Sequence, residues 1–79
     1  MKMLREPVSA VVLFEKAAAN PIMVTCCEGN LRINRVIKTW RERRNLRECC
    51  IYLCQAQGRN EPMELRWELE SNRWFIERL

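Results

Sequence analysis

A chain of 79 residues makes one domain with a small core, burying roughly 60–65% of its unfolded surface. With 48% apolar residues, three tryptophans and two phenylalanines it is not a disordered segment, and its charges sum to +4. It contains no histidine, and no apolar run near the roughly 18 residues that span a bilayer.

Met1 to Pro7 is polar, ends in proline and is expected to be a flexible tail on a single domain, 1–79. Val8 to Phe14 is apolar and rich in β-branched residues, which predicts a strand. Lys2 and Arg5 before this run and Ala17 to Ala19 after it echo a secretory signal. Pro7 opens the run and Glu15 with Lys16 cuts it short, so the cytoplasm is the expected compartment. Glu15 to Asn20 is too short for a helix, and a turn is expected before Pro21, which pushes its predecessor out of the α region. Ile22 to Cys27 predicts a strand, Glu28-Gly29-Asn30 a turn, and Leu31 to Asn34 the returning arm of a hairpin.

Two periods compete from Val36 to Leu46. Ile33, Val36, Ile37 and Trp40 fit the stripe of a short helix around 36–46. The alternative is a strand from Leu31 to about Trp40 whose alternation is re-phased by a bulge near Arg35, followed by a polar loop from Arg41 to Arg47. The strand is the preferred reading. Cys49 to Gln57 is apolar on both faces, as in a central strand, and Gly58 to Pro62 is a turn. Met63 to Leu69 alternates cleanly, with Met63, Leu65, Trp67 and Leu69 facing in. Ser71-Asn72 predicts a two-residue turn, and Arg73 to Leu79 a final strand. The sum is a mainly all-β domain: five to six short strands in a curved antiparallel meander or barrel-like sheet.

The stretch from Leu31 to Glu48 holds seven of the fourteen basic residues: Arg32, Arg35, Lys38, Arg41, Arg43, Arg44 and Arg47. Glu42 is the one acid up to Arg47, for a net +6. Cations at this density can neutralise phosphates by releasing counterions, and an exposed Trp40 or Tyr52 could stack a base. Arg35, Lys38, Arg41, Arg43, Arg44 and Arg47 are thus the candidate nucleic-acid contacts. The same cations could equally decorate a solvated face or meet an acidic protein surface.

The five cysteines, Cys26, Cys27, Cys49, Cys50 and Cys54, are odd in number and include two adjacent pairs. That spacing suits reduced thiols rather than a disulfide scaffold. A four-cysteine zinc site from Cys26, Cys50, Cys54 and one more is the sharper alternative, but no metal or other cofactor is expected. A nucleophile would have to be Cys49 or Cys50, activated by Arg47. Glu64, Glu68 and Glu70 share a strand face for acid–base work, yet Arg66 among them makes a solvated row. No catalytic constellation emerges, and the chain is not expected to be an enzyme.

Three segments resemble a bacterial family of small β domains of unknown function: the strand–turn–strand from Ile22 to Ile33, the run from Arg35 to Arg44, and the ending from Glu70 to Leu79. The resemblance covers Pro21 to Leu79. It implies a compact β-sheet, no known activity, and a gene sometimes placed beside those for error-prone DNA polymerases. The cysteine pairs and the first twenty residues fall outside the family pattern, and members usually carry more aromatics after the basic run.

The first functional expectation is an accessory or protein-interaction module without catalytic activity, since a small sheet must cover its open edges. Its partner is an unidentified protein, with a homodimer also open and no membrane. The alternative is a nucleic-acid-binding domain, linked through the resemblance to DNA damage tolerance.

Overall fold

The structure, a computed structural model, describes residues 3–15, 18–26 and 29–78. Six strands follow one another: β1 (Met3–Glu15), β2 (Ala18–Cys26), β3 (Gly29–Arg44), β4 (Arg47–Ala56), β5 (Met63–Glu68) and β6 (Arg73–Arg78). Each pairs antiparallel with the next, and β6 returns to β1 to close a barrel. Closure depends on two long strands that change partners midway. β1 lies against β6 from Met3 to Val8 and against β2 from Ser9 to Glu15. β3 lies against β2 from Gly29 to Arg32 and against β4 from Ile33 to Arg44.

Bulges let these strands turn the corners. On β2 the register passes from Met23 to Pro21 while β1 advances one residue, so Ile22 is extra. On β3 two residues are extra, Asn34 and Ile37, where one was expected near Arg35. Ile33 and Val36 therefore both face the interior although three positions apart. A doubly bulged strand thus produces the spacing that imitates a helix, and none forms there. β3 also runs on to Arg44, so the loop expected from Arg41 to Arg47 is the end of a long hairpin.

Asn45 and Leu46 alone connect that hairpin, at φ 49° and 64°. Two left-handed residues make the turn whose twist matches the flanking strands. The final hairpin is closed by four residues, Leu69 to Asn72, rather than two, with Asn72 at φ 55°. The expected tail is strand from Met3 onward, held by β6, while residues 1 and 2 lie outside the described residues. The turn expected over Glu15 to Asn20 is shorter, since β2 begins at Ala18; residues 16 and 17 are likewise outside. Cys27, Glu28 and Leu79 are outside too.

Inside, Val24, Ile33, Tyr52, Cys54, Ala56, Met63, Leu65, Trp74 and Ile76 form the core. Aromatic rings run through it in series. Tyr52 stacks on Trp74 at 5.4 Å, Trp74 on Trp67 at 5.4 Å, and Phe14 meets Trp67 edge-on at 6.2 Å. Such contacts add about 0.5–1.5 kcal/mol per pair beyond burial. The Tyr52 hydroxyl donates to the Ala19 carbonyl at 3.0 Å, tying β4 to β2 across the barrel.

Leu46 is 89% exposed, so its side chain gains little packing for a left-handed backbone. Leu46→Gly is expected to raise unfolding stability by about 0.5–1 kcal/mol, read as a higher urea midpoint at unchanged slope.

Candidate functional site

The six candidate cations sit on or beside the β3–β4 hairpin but not on one face. Register pairs Lys38 with Leu53 and Arg44 with Arg47, on the outer face of the sheet together with Arg35. Arg41 pairs with Cys50 and Arg43 with Glu48, on the opposite face. Four of the six are held by glutamates. Arg41 and Arg43 share Glu48 at 3.7 and 4.0 Å, Arg47 reaches Glu68 at 3.4 Å, and Arg44 contacts Glu42 at 2.8 Å and also Glu77. Lys38 lies over the Trp40 ring, 5.7 Å from its centre.

The hairpin tip is anchored by an ionic cluster on the outer face. Glu77, only 1% exposed, faces both Arg44 and Arg66. Arg66 donates to Glu68 at 2.5 Å and lies over the Phe75 ring at 4.2 Å. Beneath these long side chains Cys49 and Ile51 are fully buried, although they point out of the barrel. A carboxylate this buried is tolerated because two guanidiniums face it.

Burial would push the Glu68 carboxyl up. Hydrogen bonds from Ser71 and Arg66, with the charges of Arg66 and Arg47, outweigh it and hold Glu68 below the usual glutamate range. Glu42 is lowered first by the Trp40 indole N–H, at 2.9 Å, and then, against burial, by Arg44.

The remaining candidates disperse. Tyr52 cannot stack a base, being 5% exposed and inside the aromatic series. Trp40 is half-buried and tied to Glu42. The Cys49 thiol donates to the Arg47 carbonyl at 3.7 Å, while the guanidinium of Arg47 turns to Glu68. Burial pushes the Cys54 thiol and the Tyr52 hydroxyl each up to about 12. Glu70 lies in the turn after β5, apart from Glu64 and Glu68. Among the described residues no cluster of three or more cysteines and carboxylates could hold a metal ion, and Cys26, Cys49, Cys50 and Cys54 are free.

A different surface stands out on β1 and β2. Phe14 is 66% exposed, Val11 48%, Leu13 46% and Ile22 42%. Beside them, where β1 leaves β6, opens a cleft of about 660 Å³ lined by Val8, Ala10, Val12, Phe14, Arg73 and Trp74 among others. A volume of that order suits a ligand or a run of side chains. Sequence reading passed over this region because Val8 to Phe14 looked like an ordinary strand. Its signal was that Ser9 is the one polar residue in the run: Val8, Ala10 and Val12 turn inward, and Val11 and Leu13 are left half-exposed on the other face. Among the described residues no helix is long and apolar enough to cross a membrane.

No protein-family model, curated protein or solved structure matches the chain.

Two outcomes follow from the ionic cluster. Glu77→Gln removes one of the two carboxylates that each of Arg44 and Arg66 faces, leaving Glu42 and Glu68 in place, and is expected to cost about 1–3 kcal/mol in urea unfolding. Because Glu42 and Glu68 are lowered on folding, their contribution is full above the unfolded glutamate value of about 4.3 and is lost as pH falls through the lower folded values. Urea midpoints should therefore hold steady down to pH of about 5 and drop below about 4, less steeply in Glu68→Gln.

Proposed function

We propose that this chain is a non-catalytic protein-interaction module whose contact surface is the arm formed by β1 and β2. The observation that carries this reading is the concentration of exposed apolar side chains there: Val11, Leu13, Phe14 and Ile22. Apolar patches left in water on small domains mark surfaces that a partner covers. Val11, Ile22, Met23 and Ile33 also line a groove together with Arg32 and Asn34, a mixture of apolar and polar side chains of the kind protein interfaces use. The free thiols suit a reducing compartment, and the cytoplasm is where this reading puts the protein.

Nucleic-acid binding is the second reading. It is favoured by Arg35 and Lys38, which with Arg32 are exposed and outside the glutamate pairs of the described residues. It is weakened because the other four cations already face carboxylates on two sides of a hairpin. A link to DNA damage tolerance would belong to this second reading.

A photoreactive amino acid at Leu13 or Ile22 should give one discrete protein adduct in cells that make the chain, and none at Asn60. Val11→Lys with Leu13→Lys should erase the Ile22 adduct while changing stability by no more than about 0.5 kcal/mol. Equal adducts at all three sites, or none, would overturn the module. A dimer in sedimentation that these lysines dissolve would make the partner a second copy. Fluorescence anisotropy with single- and double-stranded oligonucleotides should show only binding weaker than about 10⁻⁴ M at physiological salt. Tight binding that Arg35→Glu and Lys38→Glu abolish would put nucleic acid first.

A further inference from the structure

The corners that close the barrel leave two stretches of strand paired on one side only. Among the described residues, β3 from Ile33 to Arg44 has β4 on one flank and no strand on the other, and β1 from Ser9 to Phe14 has β2 on one flank and no strand on the other. Both present backbone N–H and C=O groups to which an extended chain could add. The two are built in opposite ways. The β3 stretch carries Arg35, Lys38, Arg41, Arg43 and Arg44 and is broken by bulges at Asn34 and Ile37; the charges and the bulges both hinder strand addition. The β1 stretch, Ser9-Ala10-Val11-Val12-Leu13-Phe14, has no charge and no proline, and its own residues follow one another without an insertion.

This open flank borders the cleft. β6 reaches β1 only as far as the Val8–Trp74 pair, and beyond that point the space next to β1 is the cleft. Trp74, 7% exposed and stacked between Tyr52 and Trp67, meets it with what little of its surface is open, and Val12 and Phe14 line it as well. Arg73 and Asn72 stand at its end, and no carboxylate lines it among the described residues.

We propose that this cleft takes an extended acidic peptide by strand addition to β1, with alternate apolar side chains seated on Trp74 and Phe14 and a carboxylate at Arg73. The proposal rests on the interaction-module reading and names its site and partner class. Main-chain hydrogen bonds to β1 supply affinity that is indifferent to sequence, and the alternating side chains supply selectivity. The acidic requirement follows from the lone guanidinium, which prefers a carboxylate and can hold it with two parallel bonds. It also follows from the chain's net charge of +4, which attracts an acidic partner and repels a second copy.

The test is selection of short random displayed peptides on the intact chain. The winner is then studied as a synthetic peptide by amide hydrogen exchange and anisotropy. Enriched sequences should alternate apolar with other residues and contain Asp or Glu. The winner should slow exchange at alternate residues between Ser9 and Phe14. Methylating its backbone nitrogens at every second residue should abolish binding in one phase and spare it in the other. Arg73→Gln should weaken binding roughly tenfold at unchanged urea midpoint, and Phe14→Ser should also weaken it. No enrichment, basic consensus sequences, protection on β3 instead of β1, or indifference to both methylation phases would overturn the proposal. Persisting adducts at Leu13 in cells alongside such a failure would leave the module standing and sink strand addition alone; loss of both would sink both.

Discussion

Everything in this fold follows from closing a six-stranded sheet with fewer than eighty residues. A flat sheet of this length would leave one face of every strand in water and two full edges unpaired. Curling it shut requires some strands to belong to two parts of the wall at once, and β1 and β3 do so, each switching partner near its middle. Ile22, Asn34 and Ile37 are insertions that let ladders change direction, and the β1–β6 and β5–β6 ladders shift register too, near Met3 and at Glu77. The interior so enclosed is narrow, and flat rings fill it: Tyr52, Trp74 and Trp67 stack face to face, where branched side chains of equal bulk would leave gaps. The stack also spans the gap between the β4–β5 hairpin and the first hairpin, through the Tyr52 hydroxyl on one side and Phe14 on the other.

A core this small is extended by a second cluster on the outside of the wall. Cys49 and Ile51 face outward and are nevertheless dry, because Arg66, Trp40 and the glutamates beside them lie over the surface. Arginine is well fitted to such a cover, since its stem shields apolar area while its planar head engages carboxylates at several angles. The long hairpin tip is fixed by Arg44 reaching Glu77 on β6. Much of the basic stretch is therefore an architectural element. Its charges are counterbalanced by Glu42, Glu48, Glu68 and Glu77, and the last two come from β5 and β6.

That distribution explains what could and could not be read in the sequence. The strands from Cys49 onward were legible because the β4–β5 ladder, from Cys49 to Cys54 and Met63 to Glu68, runs without an inserted residue, so its alternation keeps phase. The closed all-β architecture was legible in outline from turn signals and the absence of a long helical stripe. The Val36 to Trp40 region misled because bulges change the phase of alternation, and two in close succession reproduce the three-residue spacing of a helix. The first residues misled because Pro7 suggests a loose end, and only β6, at the far end of the chain, makes a strand of them. The electrostatics of the basic run were illegible for a similar reason. Glu68 and Glu77 are separated from Arg47 and Arg44 by much of the second half of the chain, and charge counted in a local window cannot register partners brought in by the sheet.

The same geometry bears on how a cation-rich stretch should be interpreted in a small β domain. Clustering along the sequence is usually taken as preparation for a polyanion, but a strand paired on one flank has a need of its own. Its free backbone groups would recruit any extended chain, its own copies included. Bulky charges on it raise the cost of that pairing through desolvation and like-charge repulsion. On β3, Arg41 and Arg43 lie on the strand whose other flank is unpaired, and both reach Glu48 on β4, so their charges are compensated from the paired side. β1 was shaped by the same closure and has the same kind of margin, yet it lacks that protection and keeps its apolar side chains in water. The two margins are thus unlike: five cations stand along the β3 stretch from Ile33 to Arg44, and none along the β1 stretch from Ser9 to Phe14.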